Sequence, residues 1–306
     1  MKKIYTSIEE MIGHTPMYQF VKLKDKLKLT CNIFGKCEFY NPLFSIKDRA
    51  CLKMIDKATA QKTSKDPIII EATSGNLGVA MAALCAQRGL KAMAFMPENT
   101  SKEKIKMIKY FGADVILTSQ EDGMSGAISK AELTTQKSSN VIWLNQFENK
   151  ANLEAHLLST SIEIWDDMNG EVDAVIAAVG TSGTLSGIAQ ALKTSNPDLK
   201  IIAVEPKSSN VLSGGKKGYH HIHGIGAGFI PPLYNKNLVD EIIDIEDSDA
   251  WAMAKLVAQT EGLPIGISSG AAMAAAVELA TRSTYTNKRL VVILPDAINN
   301  YISEIK

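Results

Sequence analysis

The sequence has neither an apolar run long enough to span a membrane nor an excess of charge of one sign. A transmembrane helix needs about 18 consecutive apolar residues, and the 306 residues contain no such run. The segment from Met1 to Tyr5 is followed by polar residues and lacks the apolar centre of a signal peptide. Lys plus Arg and Asp plus Glu both number 33, so no net charge favours nucleic acid or anionic lipid. We therefore expect a cytoplasmic protein that binds neither membranes nor nucleic acids.

Cysteine and histidine are also scarce. The cysteines are Cys31, Cys37, Cys51 and Cys85. They lie in apolar or mixed segments without the paired spacing of zinc or redox motifs, so we expect reduced, mostly buried thiols. His221 and His223 would share one face of a strand, which invites a metal-binding interpretation. No further cluster has matching spacing, and we predict no metal site.

Strand and helix patterns alternate through most of the chain. Short apolar runs at residues 68–70, 91–96 and 114–117 are separated by helical patterns at 79–88 and 101–111. A second series has a helix at 156–168, a strand at 174–179, a helix at 186–194 and a strand at 201–205. This alternation is typical of parallel βαβ units with both sheet faces covered. The sequence predicts an α/β fold with parallel-rich sheets flanked by helices.

The length of 306 residues and the hydrophobic content of 45% suit two domains or one large α/β unit. We predict a small N-terminal lobe at residues 35–147, with residues 1–12 associated. A large C-terminal lobe at 148–306 would include strands from residues 13–34. Within the N-terminal region we expect a helical stretch at 4–15 and a strand with a short polar loop at 18–28.

One lysine stands at an unusual place, just after a turn. Pro42 disfavours helix at Asn41, and Ser45 can cap a helix that begins near Ile46. Lys47 would then lie in the first turn, where desolvation and the helix dipole both disfavour its ammonium form. A neutral amine there could attack a carbonyl. The alternative is a solvated lysine on an amphipathic helix.

Three strand-to-helix turns are rich in small and hydroxyl residues. Residues 180–184 follow a buried strand, and their backbone amides and hydroxyls can hold a phosphate without a lysine. Residues 73–76 can hold a carboxylate, while the Asn76 amide can donate to a phenolate-like oxygen. Residues 266–270 form a third turn of this kind. For residues 180–184, an ordinary glycine-rich turn is the alternative.

Together these segments supply an amine, a phosphate cup and a carboxylate loop, the parts that an enzyme binding pyridoxal phosphate and an amino acid needs. The motifs at residues 41–49, 73–76, 180–184, 224–231 and 266–270 resemble, in order, those of the cysteine synthase (O-acetylserine sulfhydrylase) and cystathionine β-synthase family. The resemblance extends from about residue 12 to residue 303. It implies the two-lobed, tryptophan synthase β-like fold of type II pyridoxal phosphate enzymes.

The resemblance also implies roles for individual residues. Lys47 resembles the catalytic lysine that binds the cofactor and moves the substrate proton. The implied cofactor-binding residues are Lys47, Asn76, Gly180, Thr181, Ser182, Gly183, Thr184 and Ser268. The implied substrate-binding residues are Thr73, Ser74, Gly75, Gln146 and Gly228.

Ser268 resembles the partner of the cofactor's pyridine nitrogen. A serine, unlike an aspartate, need not keep this nitrogen protonated, which weakens the electron sink and disfavours transamination. The implied reaction is β-replacement through an aminoacrylate intermediate. In cysteine synthases acetate leaves O-acetylserine and sulfide adds.

Three departures from the family pattern lie where substrate is expected. Leu77 replaces a common threonine, residues 297–300 replace Ser-Gly-Glu-Arg, and His221 and His223 precede the Gly224 loop where lysine and glutamine are usual. These changes leave alternatives open: a cysteine desulfhydrase that releases sulfide and forms serine or lanthionine, and, less favoured, a cystathionine β-synthase or a non-catalytic regulatory relative. The family also implies a homodimer and, as a possible partner, a serine acetyltransferase.

Overall fold

The computed structural model describes residues 4–60 and 66–305. These residues divide into two compact units. The first unit comprises the described residues of Met1–Ile12, Asn41–Leu43 and Lys47–Asn152, and the second those of Gly13–Tyr40, Phe44–Ile46 and Leu153–Lys306.

The strands and the helices are numbered separately, each in the order in which they occur along the chain. The strands are β1 (Met17–Gln19), β2 (Asn32–Cys37), β3 (Ile68–Ala72), β4 (Lys91–Pro97), β5 (Asp114–Thr118), β6 (Val141–Trp143), β7 (Ala174–Ala178), β8 (Lys200–Pro206), β9 (Glu241–Ile245) and β10 (Arg289–Leu294). The helices are α1 (Val21–Leu27), α2 (Lys47–Ala60), α3 (Asn76–Gln87), α4 (Lys102–Tyr110), α5 (Gly123–Lys137), α6 (Lys150–Ala155), α7 (Ser161–Asp167), α8 (Gly183–Ser195), α9 (Asp247–Glu261) and α10 (Ile267–Ala280). A π-helical turn, His156–Thr160, joins α6 to α7, and short 3-10 turns include Ile8–Met11 and Ile298–Glu304.

The first unit is built on a four-stranded parallel sheet with the order β5-β4-β3-β6. Successive residues of β3 face opposite sides of the sheet, so Ile69 packs in one apolar cluster and Ile70 in another. Helix α3 covers the first side, while α5 covers the second through Ala127. Burial on both faces explains why residues 68–70 of β3 are an uninterrupted apolar run.

The second unit contains a six-stranded sheet with the order β1-β2-β10-β7-β8-β9. Only β1 pairs antiparallel among these described strands. Ile176 of β7 packs in the cluster that includes α9 and α10, whereas Val175 packs in the cluster that includes α8. The carboxyl end of β7 therefore leads directly into a buried helix.

The predicted α/β fold with parallel-rich sheets and flanking helices is confirmed. The observed helices α3 and α8 begin three residues before the positions predicted, at Asn76 and Gly183. Their small and polar first turns were assigned to loops in the prediction, but they have helical backbone. The helix predicted at 156–168 is preceded by α6 and contains the π-helical turn.

The prediction for residues 4–28 is wrong in two places. Only Ile8–Met11 is helical in residues 4–15, as a 3-10 turn. Residues 21–27 form α1 instead of continuing a strand. The alternation of Val21 and Leu23 with lysines imitates a strand, but Leu23 is buried and its N–H donates to Glu261 Oε1 at 2.6 Å. A tertiary contact thus stabilises this helix start.

None of the helices within residues 4–60 and 66–305 combines the length and the hydropathy that a membrane span requires. All four cysteines lie in the described part of the chain and are buried and free, as predicted. Burial raises the pKa of the Cys37 and Cys85 thiols to about 12. These thiols are therefore protonated at neutral pH.

Candidate active site

Lys47 is the first residue of α2, one residue later than the predicted helix start. On its N-terminal side, Ile46 N donates to Pro295 O at 2.9 Å, and Ser45 forms an antiparallel bridge with Asp296. On its C-terminal side, the buried Asp48 carboxylate accepts from Leu43 N at 2.7 Å. The backbone is thus held on both sides of the lysine, which is itself partly exposed. Such anchoring favours a defined lysine position.

The turn at residues 73–76 connects β3 to α3. Gly75 N donates to Thr73 Oγ1 at 3.1 Å, and Thr73 N donates to Phe95 O at 3.0 Å. A Cβ at Gly78 would lie 2.7 Å from Thr73 Cγ2, so glycine is needed behind this threonine. Thr73 is buried, while Ser74 is exposed. These bonds therefore hold the turn with the Thr73 side chain buried in the protein and the Ser74 side chain exposed.

Gln146 lies against this turn. Its Nε2 donates to Ala72 O at 3.1 Å, and Asn152 Nδ2 donates to Gln146 O at 2.8 Å. The backbone N–H of Gln146 donates to Glu71 Oε2 at 3.3 Å. The structure thus brings Gln146 to the turn that carries Thr73, although the two are distant in sequence.

Glu71 is a buried carboxyl at the base of the turn. Desolvation raises its pKa to about 8, against the opposing effect of the N–H groups of Ala72 and Gln146. Ala72 N donates to its Oε1 at 2.9 Å. No signal in the sequence distinguishes Glu71, because an acidic residue at the end of an apolar run is equally typical of an exposed strand end.

Asn76 and Lys104 form a partly buried contact beside the same turn. Asn76 is the first residue of α3, and Gly75 is its N-cap. Lys104 Nζ donates to Asn76 Oδ1. Lys104 is only 8% exposed, in contrast to Lys102 and Lys106 on the same helix. Sequence reasoning missed Lys104 because its helix carries several lysines and no motif distinguishes this one.

The turn at residues 180–184 connects β7 to α8. Ser182 has a left-handed backbone with φ 66° and ψ 0°, and Gly183 N donates to Thr181 Oγ1 at 3.4 Å. The hydroxyls of Ser182 and Ser186 are 3.0 Å apart. Thr184 Oγ1 lies 3.2 Å from Nε2 of His156, a residue of the π-helical turn that the sequence analysis did not select.

The Gly224 loop closely approaches this turn. A Cβ at Gly180 would lie 2.4 Å from Gly224 O, so no larger residue fits without backbone movement. Gly226 N donates to Val179 O at 3.0 Å. Gly228, in the same loop, has φ 79°, a left-handed conformation that favours glycine. The structure therefore brings residues 180–184 and the Gly224 loop together within the second unit.

Ser268 is buried in the first turn of α10. The turn before it is held by Asp296, whose backbone oxygen accepts from Gly266 N at 2.9 Å and from Ser269 Oγ at 3.3 Å. The Asp296 carboxylate accepts from the Tyr301 hydroxyl at 2.5 Å. Asp296 thus contacts both the start of α10 and the segment that precedes Lys47.

Two of the three sequence departures, Leu77 and the histidines before the Gly224 loop, have identifiable surroundings. Leu77 is buried in the apolar core of the first unit. His223 Nε2 pairs with Glu304 at 2.9 Å, and its ring stacks on Tyr301 with centroids 5.5 Å apart. His221 N donates to Asp247 Oδ2 at 2.6 Å. Among the residues that the structure describes, no group of three or more His, Cys, Asp or Glu side chains is placed to hold a metal ion.

Residues 8–296 match the family model described as pyridoxal-phosphate dependent enzyme. The chain belongs to this family. It is 43% identical over 302 residues to cysteine synthase B of Campylobacter jejuni, which covers 98% of each protein. Among solved structures it resembles a cysteine synthase of Entamoeba histolytica, with a TM-score of 0.95, 41% identity and coverage of 100% of this chain and 92% of that one.

A third relative is named for the production of hydrogen sulfide instead of the synthesis of cysteine. The chain resembles the structure of a hydrogen sulfide-producing enzyme from Fusobacterium nucleatum, with a TM-score of 0.93 and 37% identity. The match covers 98% of this chain and 100% of that enzyme. These relationships confirm the predicted fold type II family and the predicted cofactor class. The protein is a pyridoxal phosphate-dependent enzyme.

The turn at residues 180–184 fits the phosphate of this cofactor. It has no carboxylate, its side chains are small or hydroxylic, and it opens the 13-residue helix α8. The first amides of a helix lack partners within the helix and favour anions. At Gly180, the close approach of the Gly224 backbone leaves no space for a Cβ. These residues can hold a phosphate mainly through backbone groups.

Proposed function

We propose that the protein is a cysteine synthase that replaces the acetate of O-acetylserine with sulfide. The observation that carries this proposal is the 43% identity to a cysteine synthase across 98% of both proteins. The turn at residues 73–76 supports it, because Thr73 Oγ1 accepts from Gly75 N and Gln146 Nε2 donates to the neighbouring Ala72 O, so both side chains lie at one turn, as a carboxylate site for an amino acid would require.

In this proposal each residue has a defined task. Pyridoxal phosphate supplies an electron sink for the electron pair left when an α-proton is removed. Lys47 Nζ holds the cofactor and then accepts and returns the substrate proton. Residues 180–184 bind the phosphate, and Ser268 contacts the ring nitrogen.

The amino-acid substrate has its own set of residues. The hydroxyls of Thr73 and Ser74, the backbone at Gly75 and the Gln146 amide bind and orient its carboxylate. Gly228 has no Cβ and a left-handed backbone, so its loop can approach the substrate closely. Several donors at fixed positions hold the substrate in one orientation, which favours reaction at its β-carbon.

A second candidate function is sulfide production from cysteine by the same chemistry. The observation that favours it is the similarity to the sulfide-producing enzyme of Fusobacterium nucleatum. Leu77 and residues 297–300, the departures from the cysteine synthase pattern, are where the two activities would differ. A non-catalytic relative is less favoured, because Lys47, Asn76 and Ser268 are all present. A cystathionine β-synthase is less favoured, because relatives 43% and 40% identical are cysteine synthases.

We also propose that the protein acts in the cytoplasm as a homodimer, with a serine acetyltransferase as a possible partner. The family resemblance supports both associations. Light scattering of the purified protein tests the dimer: a mass near 33.2 kDa, that of one chain, would contradict it.

The function is tested by incubating cofactor-loaded protein with O-acetylserine plus sulfide and, separately, with cysteine alone. Cysteine formed in the first reaction at the higher rate supports the proposal. Sulfide released from cysteine, with no cysteine formed from O-acetylserine, supports the second candidate. Lys47→Ala should abolish either reaction, whereas Lys57→Ala, on the exposed side of the same helix, should retain it.

A further inference from the structure

A buried histidine lies between the π-helical turn and the first turn of α8. His156 is 1% exposed and begins the π-helical turn, which is closed by a bond from Ser161 N to His156 O. Its Nε2 lies 3.2 Å from Thr184 Oγ1, and its Nδ1 lies 3.0 Å from Thr160 Oγ1. Both ring nitrogens therefore face a threonine hydroxyl.

Close packing against α8 places the imidazole there. A Cβ at Gly187 would lie 2.5 Å from Leu153 O and 3.0 Å from His156 Cβ, so α8 approaches this part of the chain more closely than a larger residue allows. Gly187 follows Thr184 by three residues in α8, which puts both on one face of the helix. Single π-helical turns of this kind are frequent at functional sites. The packing thus directs His156 at Thr184.

Packing between helices does not by itself require a histidine. An apolar side chain would fill buried space of this kind, whereas burying a polar ring costs free energy unless its nitrogens are hydrogen bonded. Thr184 is the second residue of α8 and belongs to the turn at residues 180–184. His156 therefore contacts a hydroxyl of the turn that is proposed to bind the phosphate.

The position of the imidazole proton decides what the Thr184 hydroxyl can offer to an anion. A neutral imidazole carries a proton on one nitrogen and accepts a hydrogen bond at the other. With the proton on Nδ1, the Thr184 hydroxyl must donate to Nε2, and its oxygen lone pairs would face the anion. With the proton on Nε2, the ring donates to Thr184 Oγ1, and the Thr184 proton is available to the anion. An anion at this turn therefore favours protonation of Nε2.

We propose that His156 is a positioning residue for cofactor binding, which donates from Nε2 to Thr184 Oγ1 and so directs the Thr184 proton to the phosphate. The proposal deepens the proposed function, on which it rests, because the phosphate is the one assigned to residues 180–184 there. The backbone amides of the turn remain the main donors, and the Thr184 hydroxyl adds one more. His156 acts through Thr184 and needs no contact with the cofactor.

The test compares the dissociation constants of pyridoxal phosphate and pyridoxal, both measured by equilibrium dialysis. The two compounds differ only in the phosphate group, so the ratio of their dissociation constants measures what the phosphate contributes. His156→Asn keeps an amide near the position of Nδ1 but does not reach Thr184. We expect it to weaken pyridoxal phosphate binding about tenfold, the effect of losing one charged hydrogen bond, and pyridoxal binding by less than about twofold. A substitution that only loosens the fold would weaken both equally.

His156→Gln is the conservative variant, because its longer side chain can place an amide N–H where Nε2 lies. It should restore the ratio to within about threefold of the wild-type value. His14→Asn is the matched control, since His14 is exposed and its φ of 49° is a backbone conformation that asparagine tolerates. It should leave both dissociation constants unchanged. Thermal unfolding of the cofactor-free variants checks that each is folded.

The imidazole proton can also be located without any substitution in the protein that is measured. Heteronuclear NMR of wild-type protein labelled at its histidine nitrogens, with pyridoxal phosphate bound, distinguishes a protonated from an unprotonated Nε2. The His156 signals are identified by their absence from His156→Gln. We expect a protonated Nε2, and an unprotonated one overturns the proposal.

A double-mutant cycle distinguishes action through Thr184 from an independent effect. In the Thr184→Val background there is no hydroxyl to orient, so His156→Asn should change the ratio by less than about twofold. An equal loss in both backgrounds overturns the proposal, and so does a His156→Asn protein with the wild-type ratio. A wild-type protein that binds pyridoxal as tightly as pyridoxal phosphate, or binds neither, would instead overturn the proposed function of residues 180–184.

Discussion

The turns at residues 73–76 and 180–184 both connect a buried parallel strand to a helix, but they are constructed differently. The first is fixed by side chains: Thr73 bonds the turn, Gln146 bonds the strand end, and Lys104 bonds Asn76. The second has a matching bond from Gly183 N to Thr181 Oγ1, but it also depends on backbone geometry, with Ser182 left-handed and Gly180 close to Gly224 O. The same position in the fold therefore offers two kinds of binding surface.

This difference matches the ligands proposed for the two turns. Phosphate is an almost symmetrical anion, and a set of backbone amides at a helix N-terminus is sufficient to bind it. A carboxylate and a ring oxygen must be held in one orientation, which requires donors at fixed places. Substitutions in the turn at residues 180–184 should therefore act mainly by causing steric overlap or by changing the backbone. Substitutions in the turn at residues 73–76 should act mainly by removing hydrogen bonds.

The largest effect should come from Gly180→Ala. Its Cβ would lie 2.4 Å from the backbone oxygen of Gly224. We expect the free energy of unfolding to fall by about 1–3 kcal/mol, as in overpacked sites, and cofactor affinity to be lost at least tenfold. Denaturant unfolding and equilibrium dialysis measure the two effects.

Gly75→Ala is the matched control in the other turn. No atom lies within 4 Å of a Cβ at Gly75, where φ is −170°. Its unfolding free energy should change by less than about 0.5 kcal/mol. Equal destabilisation by the two substitutions would contradict the contrast between the turns.

The next effect concerns pH and the base of the turn at residues 73–76. The Glu71 pKa of about 8 lies above its ordinary value of 4.5, so the folded protein binds a proton that the unfolded chain releases between these values. Stability should therefore fall as pH rises from about 4.5 through 8, by a few kcal/mol, since each pKa unit corresponds to about 1.4 kcal/mol.

Denaturant unfolding at pH 5.5 and pH 9, each about one unit above one of the two pKa values, tests this dependence across most of the expected fall. Glu71→Gln, which cannot ionise, should reduce the fall, while Glu132→Gln, at an exposed position of α5, should retain it. A pH dependence that is unaltered in Glu71→Gln would show that another group is responsible.

Gln146→Ala should have a more selective effect. Loss of its amide removes a donor to the substrate carboxylate, and we expect KM for O-acetylserine to rise about tenfold. Cofactor affinity should be retained, because the turn at residues 180–184 is unchanged. Steady-state kinetics and dialysis separate these effects, with Gln120→Ala at an exposed position as the control. An unchanged KM would remove Gln146 from the proposed substrate site.

The smallest effect should come from Ser182→Gly. Glycine adopts the left-handed backbone of Ser182 without strain and keeps the amide, although the contact with Ser186 is lost. Cofactor affinity should stay within about twofold, compared with the tenfold loss expected for a charged hydrogen bond. A large loss would mean that the hydroxyl, and not the backbone, binds the phosphate.

Local sequence predicted much of the fold and the candidate residues. Apolar runs such as β3 identify buried parallel strands, and the glycine and hydroxyl residues at 180–184 identify a turn before a helix. The pairing of Gln146 with Ala72, and of Lys104 with Asn76, depends on how separate elements pack. No local pattern encodes these contacts, which is why Glu71, Lys104 and His156 were missed. The helix α1 was missed for the same reason, since Glu261 stabilises its start.

Lys47 is the residue proposed to hold the cofactor and to move the substrate proton. Its attachment is measured most directly by borohydride reduction of the cofactor-loaded protein, followed by peptide mass spectrometry to locate the pyridoxyl group. We expect the group on the peptide containing Lys47, and none on the Lys47→Ala protein. Attachment to a different lysine in the wild-type protein would show that Lys47 does not hold the cofactor.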